Sequence, residues 1–211
     1  TATQRKGRPL DQEAAEEGMS TDLPQPEPAV HRPRFAAEER GLTAAQRGTA
    51  LHQAMQYLPL TGDHSPEGVR AELDRLTREG FLTPMQRQVI RPAVLSAFFQ
   101  SDLGRAMCAA WECRREFKFS LLVPAREYEP QAEEGEEVLL QGVIDAWFDD
   151  GDGITVIDFK SDRIQPGGEA HRGEEYRRQL CSYSRALAEI LGRPVRRRVL
   201  WFFATGRAWD V

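Results

Sequence analysis

The segment "LLQGVIDAWFDDGDGITVIDFKSDRI", residues 139–164, contains the clearest signals for the fold in this sequence. Two short runs rich in branched and aromatic residues flank the acidic turn Asp149–Gly153, which contains two glycines. Such runs around a tight turn predict two antiparallel strands joined as a hairpin. Asp145 lies inside the first run, and Asp158 lies near the end of the second, with Lys160 two residues later. These polar residues within apolar strands are the first candidates for function.

The predicted hairpin sets Asp145 nearly opposite Asp158, because each lies at a similar distance from the turn. Two facing carboxylates repel each other unless a cation lies between them, and a divalent metal with oxygen ligands satisfies this requirement. Strand alternation directs Asp158 and Lys160 to one face and Phe159 to the other, towards the core. The alternative is a surface Asp–Lys pair with an unrelated aspartate across the hairpin, and the spacing alone leaves it open.

The remaining sequence predicts an α/β fold in which a mixed central sheet is flanked by helices. Residues 1–40 are rich in proline and predict an extended linker ahead of one domain over residues 41–211. The predicted helices cover residues 43–58, 66–79, 84–99, 101–110 and 174–192, and the predicted strands cover residues 112–124, 138–148, 153–160 and 196–211. Thr43 is a candidate N-cap of the first helix, although Gly48 costs about 1 kcal/mol inside a helix and allows a later start near Thr49.

Composition limits the classes of protein that this chain can represent. With 211 residues, 40% apolar residues and a net charge of −5, it lacks the basic footprint of a protein that only binds nucleic acid. Its three cysteines form no C-x-x-C pair, which argues against an iron–sulfur cluster and favours the cytoplasm. No apolar run reaches the roughly 18 residues of a membrane span, and no phosphate-binding G-x-x-x-x-G-K-[ST] loop occurs. A start at Thr1 without a targeting segment leads us to expect a fragment of a longer protein.

Three motifs, in this order, resemble the PD-(D/E)xK nuclease superfamily in its RecB-like form. "GVID", with twelve residues between its aspartate and "DFKSD", resembles the nuclease signature. "RGTALH", residues 47–52, resembles the helical motif that supplies a histidine ligand, and "QLCSY", residues 179–183, resembles the Q-x-x-x-Y motif. The segments "LTAAQRGTALH", "REFKFSLLVP" and "GVIDAWF" are similar to those in the nuclease domain of the AddA component of AddAB helicase–nucleases.

The resemblance implies a restriction-endonuclease-like core and a role for each motif residue. The metal ligands it implies are His52, Asp145, Asp158, the backbone carbonyl of Phe159 and, through water, Glu116. Lys160 would be the catalytic lysine, and Gln179 and Tyr183 would contact substrate or organise that lysine.

The resemblance also implies cofactors and partners. It implies Mg²⁺ or Mn²⁺ as the metal, no iron–sulfur cluster, and ATP use only through a helicase region upstream in the same polypeptide. The implied substrate is a single-stranded DNA end, and the implied role is processing of double-strand breaks for recombinational repair beside an AddB-like subunit. No membrane partner is expected.

Ordinary structural roles remain open for several of these residues. A lone histidine on a helix is often a satisfied surface or core residue, and Mg²⁺ prefers oxygen to imidazole. Gln179 and Tyr183 share a helix face with Tyr176 and could merely border a buried leucine stripe. Four arginines beside the D-x-K strand are candidates for phosphate contacts or for plain solvation, namely Arg163, Arg172, Arg177 and Arg178.

Three classes of function follow from this sequence. The first is a metal-dependent deoxyribonuclease, and the second is a catalytically silent nuclease fold that grips DNA or a partner. The third is a metal-dependent enzyme that acts on RNA or a nucleotide. The complete Asp145, Asp158 and Lys160 set favours the first.

Overall fold

The computed structural model describes residues 42–127 and 129–211. The linker predicted over residues 1–40 therefore lies outside the described residues. The six helices within this part of the chain are α1 (Ala44–Tyr57), α2 (Pro66–Arg78), α3 (Pro84–Val89), α4 (Pro92–Gln100), α5 (Asp102–Ala109) and α6 (Glu169–Leu191). None of these helices is both long and apolar enough to cross a membrane.

The helix starts follow local capping chemistry. Thr43 forms a capping box with Gln46, so α1 begins at Ala44 and runs through Gly48 rather than starting near Thr49. Ser101 caps α5, because its side chain accepts a hydrogen bond from the backbone N–H of Gly104.

The single helix predicted over residues 84–99 is wrong, because the chain forms α3 and α4 there instead. Arg91 precedes Pro92 and adopts an extended conformation, with φ −88° and ψ 117°. The proline ring disfavours helical backbone at the preceding residue, so one helix ends and another begins with proline in its first turn.

The sheet has five strands in the order β1–β2–β3–β4–β5. They are β1 (Glu112–Pro124), β2 (Glu137–Asp149), β3 (Ile154–Lys160), β4 (Val195–Phe202) and β5 (Arg207–Asp210). β1, β2 and β3 form an antiparallel meander, α6 connects β3 to the parallel β4, and β5 returns antiparallel to β4. The mixed sheet flanked by helices is confirmed.

The last predicted strand, over residues 196–211, is wrong in one respect, because the chain turns back after Phe202. Gly206 adopts a φ of +65° in this turn, and β5 then pairs with β4. An apolar run of this composition predicts a strand, but it does not predict where the strand reverses.

The two faces of the sheet carry separate cores. The α1–α5 core joins those helices to sheet residues such as Ala146, Phe148 and Phe159. The α6 core joins the long helix to the opposite face through residues such as Ile144 and Trp147. The candidate site residues lie between these two apolar layers.

Side-chain alternation switches faces in the middle of the β1–β2 pair. Along β1, Cys113 packs against the α1–α5 core, whereas Phe117 and Phe119 pack against the α6 core. Strict alternation would place all three on one face. The switch occurs at Glu116, whose φ of +51° is the only positive value of a non-glycine residue in the described chain.

Candidate active site

The D-x-K segment follows the strand alternation that the sequence predicts. Phe159 packs into the α1–α5 core. Asp158 Oδ2 and Lys160 Nζ lie 2.7 Å apart on the side of the sheet that faces α6. Both side chains are strongly shielded from solvent, with 6% of Asp158 and 13% of Lys160 exposed. The pair is therefore a buried ion pair rather than a surface one.

The β2–β3 ladder ends beside this pair. Its last pairing joins Ala146 to Ile157, and the same register continued by one residue sets Asp145 beside Asp158. Instead of a further ladder bond, Asp145 Oδ2 accepts a hydrogen bond of 2.6 Å from the backbone N–H of Phe159. The Asp145 carboxylate thus lies at the point where the two strands separate.

His52 reaches the same carboxylate from helix α1. Its Nδ1 lies 3.2 Å from Asp145 Oδ1, and 30% of the histidine side chain is exposed. Gly48, one turn earlier on α1, allows the close approach of this helix to the sheet. A Cβ atom at Gly48 would lie 2.7 Å from the hydroxyl of Ser161, directly after the D-x-K triplet.

Glu116 belongs to the same cluster. One potential ligand atom from each of His52, Glu116 and Asp145 lies within 4.8 Å of the others. The left-handed backbone at Glu116 faces Asp145 at the interruption of the β1–β2 ladder, which pairs Arg115 with Ala146 and then Phe117 with Ile144. Strained backbone of this kind concentrates at functional sites, where the surrounding structure holds it in place.

Charge coupling links the two halves of the site. Burial would lower the pKa of His52, but the charge of Asp145 and the hydrogen bond to it outweigh burial and raise the pKa to about 9. Burial raises the pKa of Asp158 to about 6 against the opposing effect of Lys160, and the charge of Asp145 adds to the rise. For Lys160, burial would lower the pKa, yet the neighbouring Asp158 raises it above its ordinary value. The lysine is therefore held in its charged form.

The Q-x-x-x-Y residues continue this network along α6. Lys160 Nζ donates to Gln179 Oε1 at 3.3 Å, and Gln179 Nε2 donates to the hydroxyl of Tyr183 at 3.0 Å. Tyr183 is only 1% exposed and packs against the ring of Phe119. Tyr183 is thus shielded from solvent and linked to Lys160 through Gln179.

All four arginines considered for phosphate contacts are paired with carboxylates or exposed. Arg172 forms ion pairs with Asp162 and Glu175, and Arg177 pairs with Glu174. Arg163 and Arg178 are exposed. The sequence alone could not separate these two groups, because acidic and basic residues alternate along the start of α6.

Arg115, which no sequence motif indicates, supports the helix that carries His52. Its guanidinium donates to the backbone carbonyls of Met55 and Leu58 at the end of α1. The only signal was a charged residue next to Glu116 in a strand that otherwise alternates.

The donor set fits a divalent cation. Asp158 Oδ2 is buried and has no hydrogen-bond partner of suitable geometry, although Lys160 lies within ion-pair distance. Carboxylates together with one imidazole form a ligand set that suits a divalent cation. His52, Glu116 and Asp145 offer a group of three potential ligand atoms within 4.8 Å of one another, and Asp158 is not a member of this group.

The sequence of this chain matches a known protein family and several named proteins. The profile of the PD-(D/E)XK nuclease superfamily matches residues 29–208. An ATP-dependent helicase/nuclease subunit from Desulforudis audaxviator is 39% identical over 210 residues, which is 99% of this chain and 17% of that protein. The proteins of the same name from Desulforamulus reducens and Acetivibrio thermocellus are 43% and 36% identical, over 83% and 84% of this chain and 14% of each relative.

The chain thus spans less than one fifth of the length of these relatives. The resemblance that the three motifs indicate is confirmed by both kinds of comparison. The chain belongs to the PD-(D/E)XK nuclease superfamily.

Proposed function

We propose that this chain is a Mg²⁺- or Mn²⁺-dependent deoxyribonuclease domain that degrades DNA from a single-stranded end. Its relatives are named as subunits of an ATP-dependent helicase/nuclease, so we infer a longer polypeptide whose helicase region uses ATP and delivers the strand. Processing of double-strand breaks for recombinational repair, an AddB-like partner and a cytoplasmic location belong to the same proposal. The proposal includes no iron–sulfur cluster, because the three cysteines of the sequence form no C-x-x-C pair.

Five residues are proposed to hold the metal, namely His52, Glu116, Asp145, Asp158 and Phe159 through its carbonyl. A bound divalent cation would polarise a phosphoryl oxygen and lower the pKa of a water molecule. The backbone of Phe159 is fixed by its N–H bond to Asp145, so the proposed carbonyl ligand belongs to a rigid strand end.

Lys160 is proposed to be the catalytic lysine. Its ammonium group is charged, buried and oriented by Asp158 and Gln179. A preorganised cation in such a site stabilises negative charge that develops on a phosphate in the transition state. Gln179 and Tyr183 orient the ammonium group and do not themselves exchange protons with the substrate in this proposal.

The observation that carries the proposal is the convergence of residues from three separate segments. His52 from α1 forms one group of potential metal ligands with Glu116 and Asp145 from the interrupted β1–β2 ladder. The Asp158–Lys160 pair from β3 is coupled by charge to His52 and Asp145. A surface Asp–Lys pair without function needs neither burial nor an imidazole beside the facing aspartate.

The test is degradation of end-labelled single-stranded DNA with Mg²⁺ or Mn²⁺. Asp158→Ala should lower the rate by about 10² or more, because the variant loses a proposed metal ligand and the carboxylate that orients Lys160. Asp152→Ala is the matched control, since that carboxylate lies in the β2–β3 turn and is 80% exposed. Equal rates for wild type and Asp158→Ala would overturn the proposal and favour the silent-fold alternative.

Competition with RNA and with free nucleotides tests the remaining alternative, an enzyme that acts on RNA or a nucleotide. The proposal predicts that unlabelled single-stranded DNA suppresses cleavage and that RNA or nucleotides at equal concentration do not. Faster hydrolysis of RNA than of DNA would assign the site to a different substrate.

A further inference from the structure

Tyr176 contacts the proposed catalytic lysine with the face of its ring. Lys160 Nζ lies 3.8 Å from the centroid of this ring, within the range of a cation–π interaction. We propose that Tyr176 is a positioning residue that holds the Lys160 ammonium group against Asp158 and Gln179. The proposal rests on the catalytic role proposed above for Lys160.

The tyrosine is itself fixed at both ends. It is 7% exposed, and its ring belongs to the apolar layer formed with Leu180 and Leu200. Its hydroxyl donates to Asp162 Oδ2 at 2.8 Å. A ring held by packing on one side and by a hydrogen bond on the other can define the position of a flexible side chain.

Lys160 needs such a constraint, because a lysine carries its charge on a four-carbon stem with many rotamers. Asp158 Oδ2 at 2.7 Å and Gln179 Oε1 at 3.3 Å contact the ammonium group, and the ring of Tyr176 adds a third contact. The two polar contacts together with the ring fix the position of the ammonium group more firmly than the two polar contacts would alone. Burial strengthens the third contact, since a cation–π interaction is stronger when the cation is desolvated.

Tyr176 also contacts a second cation, the guanidinium group of Arg172. Arg172 lies on the hydroxyl side, where its guanidinium contacts Tyr176 at 3.2 Å and Asp162 at 3.1 Å. Asp162 accepts hydrogen bonds from both Tyr176 and Arg172, so its carboxylate pairs with the positive charge of Arg172. The guanidinium carbon of Arg172 also lies 5.1 Å from the centroid of the Tyr176 ring, so this ring contacts two cationic groups.

Three variants distinguish the contribution of the Tyr176 ring from that of its hydroxyl and from a general loss of protein stability. Tyr176→Phe keeps the ring face, whereas Tyr176→Leu keeps an apolar side chain without a π system. Leu187→Ala is the control for destabilisation of α6, because Leu187 is fully buried three turns further along the same helix.

The spectroscopic readout uses the scarcity of lysine. The sequence contains only Lys6, Lys118 and Lys160, so a protein labelled with ¹³C-lysine gives three resolvable sets of side-chain signals. The proposal predicts upfield-shifted ε-methylene protons for Lys160, from the ring current of Tyr176. The shift should survive in Tyr176→Phe and Leu187→Ala and be lost in Tyr176→Leu. An unchanged Lys160 signal in Tyr176→Leu would overturn the proposal.

The kinetic readout uses the nuclease assay. Tyr176→Leu should lower kcat about tenfold with an unchanged KM for DNA, while Tyr176→Phe stays within about twofold of wild type. Equal losses in the two variants would also overturn the proposal. An inactive wild-type chain would refute the proposed function alone, because the Lys160 chemical shift tests the contact without any turnover.

Discussion

Substitution of Gly142 by alanine tests how the "GVID" motif shapes the site. Gly142 pairs with Phe119 across β1 and β2. A Cβ atom at Gly142 would lie 2.9 Å from two ring atoms of Phe119 and from one ring atom of Tyr183. Carbon atoms in favourable contact are about 3.5–4.0 Å apart, so all three contacts are repulsive. Neither ring can swing into solvent, since Phe119 is 5% and Tyr183 is 1% exposed.

Two opposing effects determine how much Gly142→Ala changes the free energy of unfolding. Alanine gains about 0.5–1 kcal/mol over glycine in a strand, because it loses less backbone entropy on folding. Overpacking of a well-packed core costs about 1–3 kcal/mol. We therefore expect Gly142→Ala to lower the free energy of unfolding by about 0.5–2 kcal/mol, or roughly 1–8 °C in melting temperature for a domain of this size.

The assay is urea unfolding at equilibrium, followed by tryptophan fluorescence, with Phe119→Leu as the partner in a double-mutant cycle. Leucine lacks the two Phe119 ring atoms that the new methyl group would meet. The double variant should therefore lose less stability than the sum of the single variants. Stabilisation by Gly142→Ala, or strict additivity of the two substitutions, would refute the reasoning.

Two further predictions concern the support of His52 and the metal. Arg115→Ala should lower the free energy of unfolding in urea by about 1.5–3 kcal/mol, because α1 loses the charged donor at its C-terminus. The same substitution should weaken Mn²⁺ binding, measured by calorimetry, about tenfold. An unchanged free energy of unfolding would contradict the role of Arg115. Mn²⁺ at a hundredfold excess over its Kd should raise the free energy of unfolding by about 2.7 kcal/mol. Asp145→Asn should abolish this gain, and a persisting gain would place the metal elsewhere.

Much of the fold could be predicted because its signals are local. The apolar runs around Asp149–Gly153 specify the hairpin, and Thr43 and Ser101 specify helix starts by side-chain capping. The errors lie where local signals compete. The break before Pro92 interrupts a helical pattern, and the turn before β5 interrupts an apolar strand.

The candidate site shows a similar division. The two-residue spacing of Asp158 and Lys160 predicts that they share a face, and the ion pair agrees with this spacing. The face switch at Glu116 could not be predicted, because a glutamate in a strand carries no signal for left-handed backbone. From the sequence, Gly48 predicts only a loss of helix stability in α1, whereas the structure shows that the missing side chain makes room for Ser161.

The sequence by itself determined the α/β class, the hairpin with its two aspartates, and the order of motifs that identifies the superfamily. These features depend on residue type and on spacing along the chain, which are properties of short segments. Only the tertiary structure decided that His52 meets Asp145, that Tyr176 covers Lys160, and that Tyr183 is buried behind Gln179. These contacts join segments far apart in sequence, and they depend on how closely helices α1 and α6 pack against the two faces of the sheet.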